Sequence, residues 1–187
     1  MRVKADLFDQ EKIRRTITRI SYQIIEKNHG TDNICLIGIK TRGMPIAERI
    51  AENIRRIEGR SVEFGQIDIT QYRDDLSTLS DAPITSPPNL DFSIVDKTVV
   101  LVDDVIYTGR TARAAMDAIT SLGRPARIQL AVLVDRGHRE LPIRADYVGL
   151  NIPTSRSEIV AVMLEETDGK DLIRLYEKCS NAKMLRC

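Results

Sequence analysis

The chain has 187 residues, of which 28 are basic and 27 are acidic, and its formal net charge is +1 at pH 7. This length is typical of one domain with one well-buried core, so we expect a single domain over residues 1–187. The near-neutral charge excludes a strong overall attraction to polyanions, so any binding to nucleic acid must come from a local basic surface.

The cysteines and the apolar segments indicate the compartment. Cys35, Cys179 and Cys187 are widely spaced and Cys35 lies in an apolar run, which predicts free thiols in a reducing environment rather than a disulfide framework or a zinc site. No segment reaches the roughly 18 consecutive apolar residues of a membrane span, and the first residues lack the apolar core of a signal peptide. We therefore expect a cytoplasmic protein.

Residues 9–28 are predicted to form an amphipathic helix, with Asp9 as its N-cap and Gly30 near its end. Isoleucines recur at helical spacing on one face, at positions 13, 17, 20 and 24. The opposite face carries basic side chains, including Arg19 and Lys27. A basic helix face is most often simply solvated, so this pattern alone assigns no function.

The first predicted core strand, 33–39, leads into the turn Lys40-Thr41-Arg42-Gly43 and then into a helix over 44–57. Arg42 can donate paired hydrogen bonds to phosphate oxygens, and the unpaired N–H groups at the start of the helix favour the same anion. The turn therefore predicts an anion site. An ordinary strand-to-helix turn is the alternative.

A strand predicted over 61–69 is followed by residues 70–96, which lack periodicity and contain three prolines. Loops of this length are usually lids or disordered segments. Because Tyr72, Arg73 and Asp74 stand at its base, we expect a mobile flap that closes over a site and excludes water from it. A disordered insertion without such a role is the alternative.

Residues 98–118 are predicted to form a strand, a turn and a helix that together make a ligand site. Val99–Val102 predicts a buried strand of a parallel sheet, and Asp103 and Asp104 follow at its carboxyl end, where open α/β sheets bind ligands. The turn 108–111 (Thr-Gly-Arg-Thr) then precedes an alanine-rich helix and predicts a phosphate cradle. Paired carboxylates beside a phosphate cradle suit a ribose 5-phosphate with Mg²⁺. A buried strand with a capped helix and no ligand is the alternative.

The rest of the chain continues the alternation of strands and helices. The helix of the central stretch should end near Gly123, and buried strands are predicted over 128–134 and 159–164. Residues 169–178 are predicted to form a short closing helix that packs through Leu172, Ile173, Leu175 and Tyr176. This order of elements predicts an α/β fold with a mostly parallel sheet.

The run Val99–Thr111 resembles the phosphoribosyl pyrophosphate (PRPP) motif of the type I phosphoribosyltransferases. Within that family, the segments 39–43, 68–76 and 135–147 are most similar to regulators of pyrimidine operon attenuation that also have uracil phosphoribosyltransferase activity. The resemblance implies the type I phosphoribosyltransferase fold, with a central mostly parallel sheet flanked by helices, a flexible loop over about 70–96 and a small hood formed by C-terminal segments. It also implies a glycosyltransferase that converts uracil and PRPP to UMP and pyrophosphate with Mg²⁺.

The resemblance assigns roles to individual residues. Catalysis is assigned to Asp103, Asp104 and Arg42, and Asp104 is also the candidate acceptor of the uracil proton. PRPP or nucleotide binding is assigned to Thr41, Arg42, Asp103, Asp104, Tyr107, Thr108, Gly109, Arg110, Thr111, Arg136 and Val160. Purine-using relatives commonly have an acid at the position of Tyr107, so the tyrosine argues against a purine base. No residue is assigned as a certain direct ligand of the metal.

Regulation would require binding to the messenger RNA leader of a pyrimidine operon, favoured by UMP or UTP. The residues that the resemblance assigns to this RNA surface are Thr18, Arg19, Lys27, Arg139, Arg144 and Arg156. A homodimer or higher homo-oligomer would double the surface. Tyr22 and Leu150 depart from the pattern, since well-known relatives have a histidine and a lysine at these positions. The alternative function is nucleotide salvage, with uracil or another base and without an RNA role.

Overall fold

The computed structural model describes residues 1–72 and 90–178. Its strands are β1 (Arg2–Phe8), β2 (Ile34–Ile39), β3 (Glu63–Ile67), β4 (Thr98–Ile106), β5 (Arg127–Asp135), β6 (Tyr147–Asn151), β7 (Glu158–Met163) and β8 (Leu172–Glu177). Its helices are α1 (Gln10–Lys27), α2 (Gly43–Glu58), α3 (Arg110–Leu122) and the single turn α4 (Glu165–Asp168), and a 3-10 turn covers Thr70–Tyr72.

Five strands form a parallel sheet in the order β3-β2-β4-β5-β6, which puts the strand of the predicted PRPP motif at the centre. The apolar runs of β2 and β4 fit this position because both faces of the sheet are covered. Leu36 and Val100 pack with α1 and α2 on one face, whereas Ile37 and Leu101 pack with α3 on the other. The predicted α/β fold is confirmed.

The central strand is longer than its apolar run. Pairing of β4 with β2 ends at Val102, opposite Gly38, but pairing with β5 continues to Ile106. Asp103 and Asp104 therefore lie at the carboxyl end of β4, where the sequence predicts them, and the strand continues beyond them to Ile106. Because β2 stops earlier, the edge of β4 that carries the two acids is open toward the loop after β2.

The first helix agrees closely with the helix predicted from the sequence. The Asp9 carboxylate accepts a hydrogen bond of 2.9 Å from the Lys12 N–H, which satisfies one of the unpaired donors at the start of α1. All four isoleucines of the predicted apolar face are buried. The α2 and α3 helices also lie within one or two residues of their predicted bounds.

A second sheet is antiparallel and has the order β1-β8-β7; we call it the hood sheet. The closing helix predicted over 169–178 is wrong, because Leu172–Glu177 forms β8 at the centre of this sheet. The burial alternates along it, with Ile173 and Leu175 in the core and their neighbours half-buried. This is the period of a strand with one face on a core. The sequence reading did not predict β1.

No helix in the described parts of the chain is long and apolar enough to cross a bilayer. Cys35 is a free, buried thiol, and burial raises its pKa to about 11. Most of the predicted flap, residues 73–89, lies outside the described residues.

Candidate active site

Two neighbouring cavities lie at the carboxyl edge of the parallel sheet. One, of about 350 Å³, is lined mainly by the end of β4 and the start of α3. The other, of about 470 Å³, lies between the end of β4 and the loop after β2. Asp103, Val105 and Thr111 line both cavities, so the two spaces meet at the acidic end of β4.

The β4–α3 loop, residues 107–109, is shaped by its glycine. Gly109 has φ +95°, in the left-handed region that glycine favours, and it is the residue from which α3 begins. The Thr108 hydroxyl accepts a 3.4 Å hydrogen bond from the Arg110 N–H. The start of α3 provides N–H groups that suit an anion, and this cavity can therefore hold a phosphate.

The same loop is braced from outside. The N–H groups of Glu140 and Leu141 donate to the Thr108 carbonyl at 2.9 and 3.1 Å. Arg110 forms an ion pair of 2.8 Å with the Glu140 carboxylate. The segment after β5 therefore fixes the conformation of the loop through contacts within the protein.

The two acids differ in their surroundings. The Asp103 carboxylate accepts a 2.9 Å hydrogen bond from the Asp104 N–H, and the Asp104 carboxylate accepts one of 2.8 Å from the Val105 N–H. Burial raises the pKa of Asp104, against the opposing effects of its hydrogen bonds and of Arg42. A carboxylate with a raised pKa is a better proton acceptor, so Asp104 can do acid–base chemistry that an ordinary aspartate does poorly.

The β2–α2 loop, residues 40–42, is the second anion candidate. Its Lys40–Thr41 peptide bond is cis. Arg42 donates to the Asp168 carboxylate from Nη2 at 2.8 Å and from Nε at 3.3 Å, and this ion pair lowers the pKa of Asp168 to about 2. Asp168 belongs to α4, so Arg42 connects the cavity to the hood sheet.

The aromatic side of the site is formed by Tyr107, Arg136 and His138. The Arg136 guanidinium carbon lies 4.3 Å from the centroid of the Tyr107 ring, and the rings of Tyr107 and His138 are 5.9 Å apart in an edge-to-face arrangement. Arg136 is buried and donates from Nη2 to the Ser155 and Glu158 carbonyls at 3.1 and 2.7 Å. Since Glu158 begins β7, Arg136 links this group to the hood sheet.

Most of the predicted site residues line the two cavities. They are Thr41, Arg42, Asp103, Asp104, Tyr107, Thr108, Gly109, Arg110 and Thr111. Arg136 is adjacent through Tyr107, whereas the side chain of Val160 packs in the core. Tyr72 lies against α3, where its hydroxyl is 3.0 Å from the Ser121 hydroxyl. Arg73 and Asp74 lie outside the described residues.

The residues predicted to bind RNA do not form one cluster of free cations. Arg19 donates to the Val148 and Gly149 carbonyls of β6, the latter at 2.7 Å, and Lys27 forms a 2.5 Å ion pair with Asp146. The Thr18 hydroxyl donates to a carbonyl of its own helix. Arg144 and Arg156 are exposed, whereas Arg139 points to the β4–α3 loop.

Sequence reasoning missed two carboxylates of the site. Glu140 holds Arg110, and Asp168 holds Arg42. Glu140 lies in the segment 135–147, which carries part of the family resemblance, so its position after β5 could have indicated a role at the site. Asp168 lies 126 positions from Arg42, and no local pattern links the two.

A metal site made by the protein alone is not apparent in the described ranges, which contain no group of three or more His, Cys, Asp or Glu able to hold an ion. The carboxylate oxygens of Asp103 and Asp104 are nevertheless ligands of the type that Mg²⁺ accepts. The donor set therefore fits a metal that arrives with an oxygen-rich ligand and is completed by it.

The fold and the site define a class of protein that sequence comparison also identifies. The model of the phosphoribosyl transferase domain matches residues 4–167. Solved structures with this fold include a hypoxanthine phosphoribosyltransferase of Trypanosoma cruzi, with a TM-score of 0.70, 20% identity and coverage of 94% of this chain and 98% of that chain. A hypoxanthine-guanine phosphoribosyltransferase from Bacillus anthracis has a TM-score of 0.68 and 19% identity, covering 93% and 98% of the two chains. At these identities the likeness shows the fold alone.

Curated relatives are far more similar. The bifunctional protein PyrR of Clostridioides difficile is 62% identical over 93% of this chain and 98% of its own length. The bifunctional protein PyrR of Pelotomaculum thermopropionicum is 59% identical over 94% and 97% of the two chains. The chain therefore belongs to the bifunctional PyrR family of phosphoribosyltransferases.

Proposed function

We propose that the protein transfers the phosphoribosyl group of PRPP to uracil, giving UMP and pyrophosphate, and that the same site controls binding to a pyrimidine operon RNA. One observation carries the enzymatic part. Two anion-binding loops, after β2 and after β4, flank Asp103 and Asp104 at the edge of one sheet. Two anion sites on either side of a pair of carboxylates match a ligand with a phosphate at one end and a pyrophosphate at the other.

The substrate would span the two cavities. The 5-phosphate would bind the N–H groups at the start of α3 and the hydroxyls of Thr108 and Thr111. The ribose hydroxyls would donate to Asp103 and Asp104. The pyrophosphate would lie against Thr41 and Arg42, and the ring carbon that reacts would then face the open edge of β4.

The chemistry needs positioning and charge more than covalent catalysis. As the bond to pyrophosphate loosens, positive charge develops on the ribose ring, and the two carboxylates stabilise it. Asp104 accepts the uracil proton, which its raised pKa favours. Mg²⁺ bound with PRPP would neutralise charge on the leaving pyrophosphate. Arg42 adds a positive charge from the protein.

The base would lie between Tyr107 and the hood sheet. Arg136 supports this pocket from both sides, since it stacks on Tyr107 and donates to the Glu158 carbonyl of β7. One edge of β7 pairs with β8, and the other has no paired strand in the described residues. The backbone groups of this edge near Val160 would form hydrogen bonds with the polar edge of a pyrimidine.

RNA would bind a basic surface that includes α1 and the region after β5. Arg19 contacts carbonyl oxygens of β6, and these contacts bring no opposing carboxylate charge next to its guanidinium. Arg144 and Arg156 are exposed and can contact phosphates. We further propose that UMP and UTP are the effectors that favour RNA binding and that the protein forms a homo-oligomer. Membership of the bifunctional PyrR family favours this reading over salvage without RNA. The buried thiol of Cys35 is consistent with a cytoplasmic location.

The enzymatic proposal is tested by measuring nucleotide formation from PRPP and uracil, hypoxanthine or guanine, each with Mg²⁺ and with EDTA. We expect UMP formation with uracil, loss of activity in EDTA and little product from the purines. The measurements with purines matter because the solved structures with this fold include hypoxanthine and hypoxanthine-guanine phosphoribosyltransferases. Preference for hypoxanthine or guanine, or no turnover with uracil, would contradict the proposal.

A further inference from the structure

Arg139 differs from the other basic residues assigned to the RNA surface, because its guanidinium points into the protein. Its side chain is only 20% exposed. We propose that Arg139 is a positioning residue for the β4–α3 loop, and that its role is to hold the nucleotide-phosphate site in its binding conformation rather than to contact RNA. This inference rests on the proposed nucleotide site.

The Arg139 side chain connects the β4–α3 loop to the segment after β5. Its Nη1 donates to the Tyr107 carbonyl at 2.8 Å and, less closely, to the Gly137 carbonyl at 3.3 Å. Its Nε donates to the Ile143 carbonyl at 2.9 Å. Its Nη2 forms a 2.5 Å ion pair with the Asp135 carboxylate at the end of β5.

These contacts leave little of the guanidinium for another ligand. Four of its hydrogen bonds go to protein oxygens, three of them to carbonyls that water would otherwise have to satisfy. Removing the side chain would take this donor from all three carbonyls, and the Ile143 carbonyl would lose it in a partly buried place. A phosphate of RNA would have to displace these partners in order to bind Arg139.

The segment that Arg139 fixes also packs on the β4–α3 loop. A Cβ built on Gly109 would lie 3.4 Å from the Leu141 Cβ and 3.6 Å from the Ile143 Cβ, so the two backbones approach closely. The same segment donates two N–H groups to the Thr108 carbonyl. Because Arg139 ties Ile143 to Tyr107, its loss should loosen both the phosphate loop and the aromatic wall of the base pocket.

Arg139→Lys is the decisive variant because it separates charge from geometry. Lysine keeps the positive charge that an RNA phosphate would attract, but it cannot direct a planar fork at three carbonyls and a carboxylate. Arg144→Gln is the matched control, since Arg144 lies in the same segment and is exposed. Arg139→Gln removes both the positive charge and the planar guanidinium donors.

The measurements are the KM for PRPP, kcat, the Kd for UMP without RNA, and the affinity for the leader RNA. We expect Arg139→Lys and Arg139→Gln to raise the KM for PRPP and the Kd for UMP about tenfold, with a smaller change in kcat. Arg144→Gln should leave both constants unchanged and weaken RNA binding. A thermal melt checks that each variant folds. If Arg139→Gln does not fold, the milder variant Arg139→Lys still tests the inference.

The opposite pattern would overturn the inference. If Arg139→Lys resembles the wild type in every constant, the planar guanidinium does not position the loop. If Arg139→Gln weakens RNA binding without changing the Kd for UMP, Arg139 is an RNA contact. Failure of the proposed function looks different, because the wild-type protein itself would then neither bind UMP nor use PRPP, and that result would overturn this inference as well.

Discussion

The two anion-binding loops at the edge of the sheet are built in different ways. The β4–α3 loop is held by residues that follow the adjacent strand β5, through the Thr108 carbonyl and the Arg110–Glu140 ion pair. The β2–α2 loop instead pairs Arg42 with Asp168, which lies in the turn α4 between the hood strands β7 and β8. One loop has its conformation fixed within the parallel sheet, and the other depends on a second part of the molecule.

This difference fits the fate of the two groups in the proposed reaction. The 5-phosphate stays bound from substrate to product, so a preformed site suits it. The pyrophosphate must leave in every turnover. An arginine whose N–H groups already have a carboxylate partner can exchange that partner for the pyrophosphate and return to it on release. The acids of β4 lie between the two loops, and Asp103 lines both cavities.

The largest expected effect comes from Asp104→Asn. The amide keeps the shape of the side chain but cannot accept the uracil proton or stabilise a cationic ring, so turnover should fall by at least about 100-fold. The assay is UMP formation at saturating PRPP. Near-normal turnover would remove Asp104 from the mechanism and leave Asp103 as the catalytic carboxylate that lines both cavities.

The same variant also tests the pKa of Asp104. Burial raises this pKa above its ordinary value of 3.8, so the folded state binds more protons than the unfolded state in the interval between the two values. The stability of the wild-type protein therefore falls as the pH rises through that interval. Asp104→Asn lacks this penalty, so its melting temperature should increase relative to the wild type over the same range. A difference that does not change with pH would contradict the raised pKa.

The next largest effect is expected for Gly109→Ala, which tests the fixed conformation of the β4–α3 loop. A side chain at φ +95° is strained by about 1–2 kcal/mol, and here its Cβ would lie in van der Waals contact with Leu141, on the segment that supports the loop. We expect the KM for PRPP to rise about tenfold. Gly59→Ala is the matched control, since Gly59 has φ +70° and open space around it. Equal PRPP kinetics in the two variants would mean that the loop is not preformed.

A smaller effect is expected for Asp168→Asn, which tests the exchange of partners at Arg42. Without the carboxylate, Arg42 should attract pyrophosphate more strongly, so the inhibition constant of pyrophosphate should fall about threefold while the Kd for UMP stays constant. Glu166→Gln is the control on the same helical turn, because Glu166 pairs with Arg49 instead. Weaker pyrophosphate binding in Asp168→Asn would mean that Asp168 supports Arg42 rather than competing for it.

The smallest effect is expected for Lys27→Gln, which tests the predicted RNA surface. Lys27 already has an ion pair with Asp146, so it contributes at most one phosphate contact to RNA binding. The slope of log affinity against log salt should decrease by about one or less, and UMP synthesis should not change. An altered KM for PRPP would connect this surface to the loops in a way that the structure does not explain.

Sequence reasoning succeeded where the signal is local. The apolar run, the acid pair and the glycine turn are contiguous, and the capping residue and isoleucine spacing of α1 act within one helix. It failed where partners are distant. Residues 172–177 form a strand because β1 and β7 lie on either side of them, and residues 2–8 have no clear alternation of burial. The pairing of Arg42 with Asp168 depends on how the hood sheet packs, which no local pattern encodes.

The central claim is that one nucleotide site serves both catalysis and RNA control. Filter binding of the protein to the leader RNA of its own pyrimidine operon, with and without UMP across a salt series, tests it most directly. We predict sequence-selective binding that UMP tightens and that salt weakens, since ligand and RNA must raise each other's affinity. Weak binding that is indifferent to UMP, in a protein that still converts uracil and PRPP to UMP, would contradict the claim and leave a salvage enzyme.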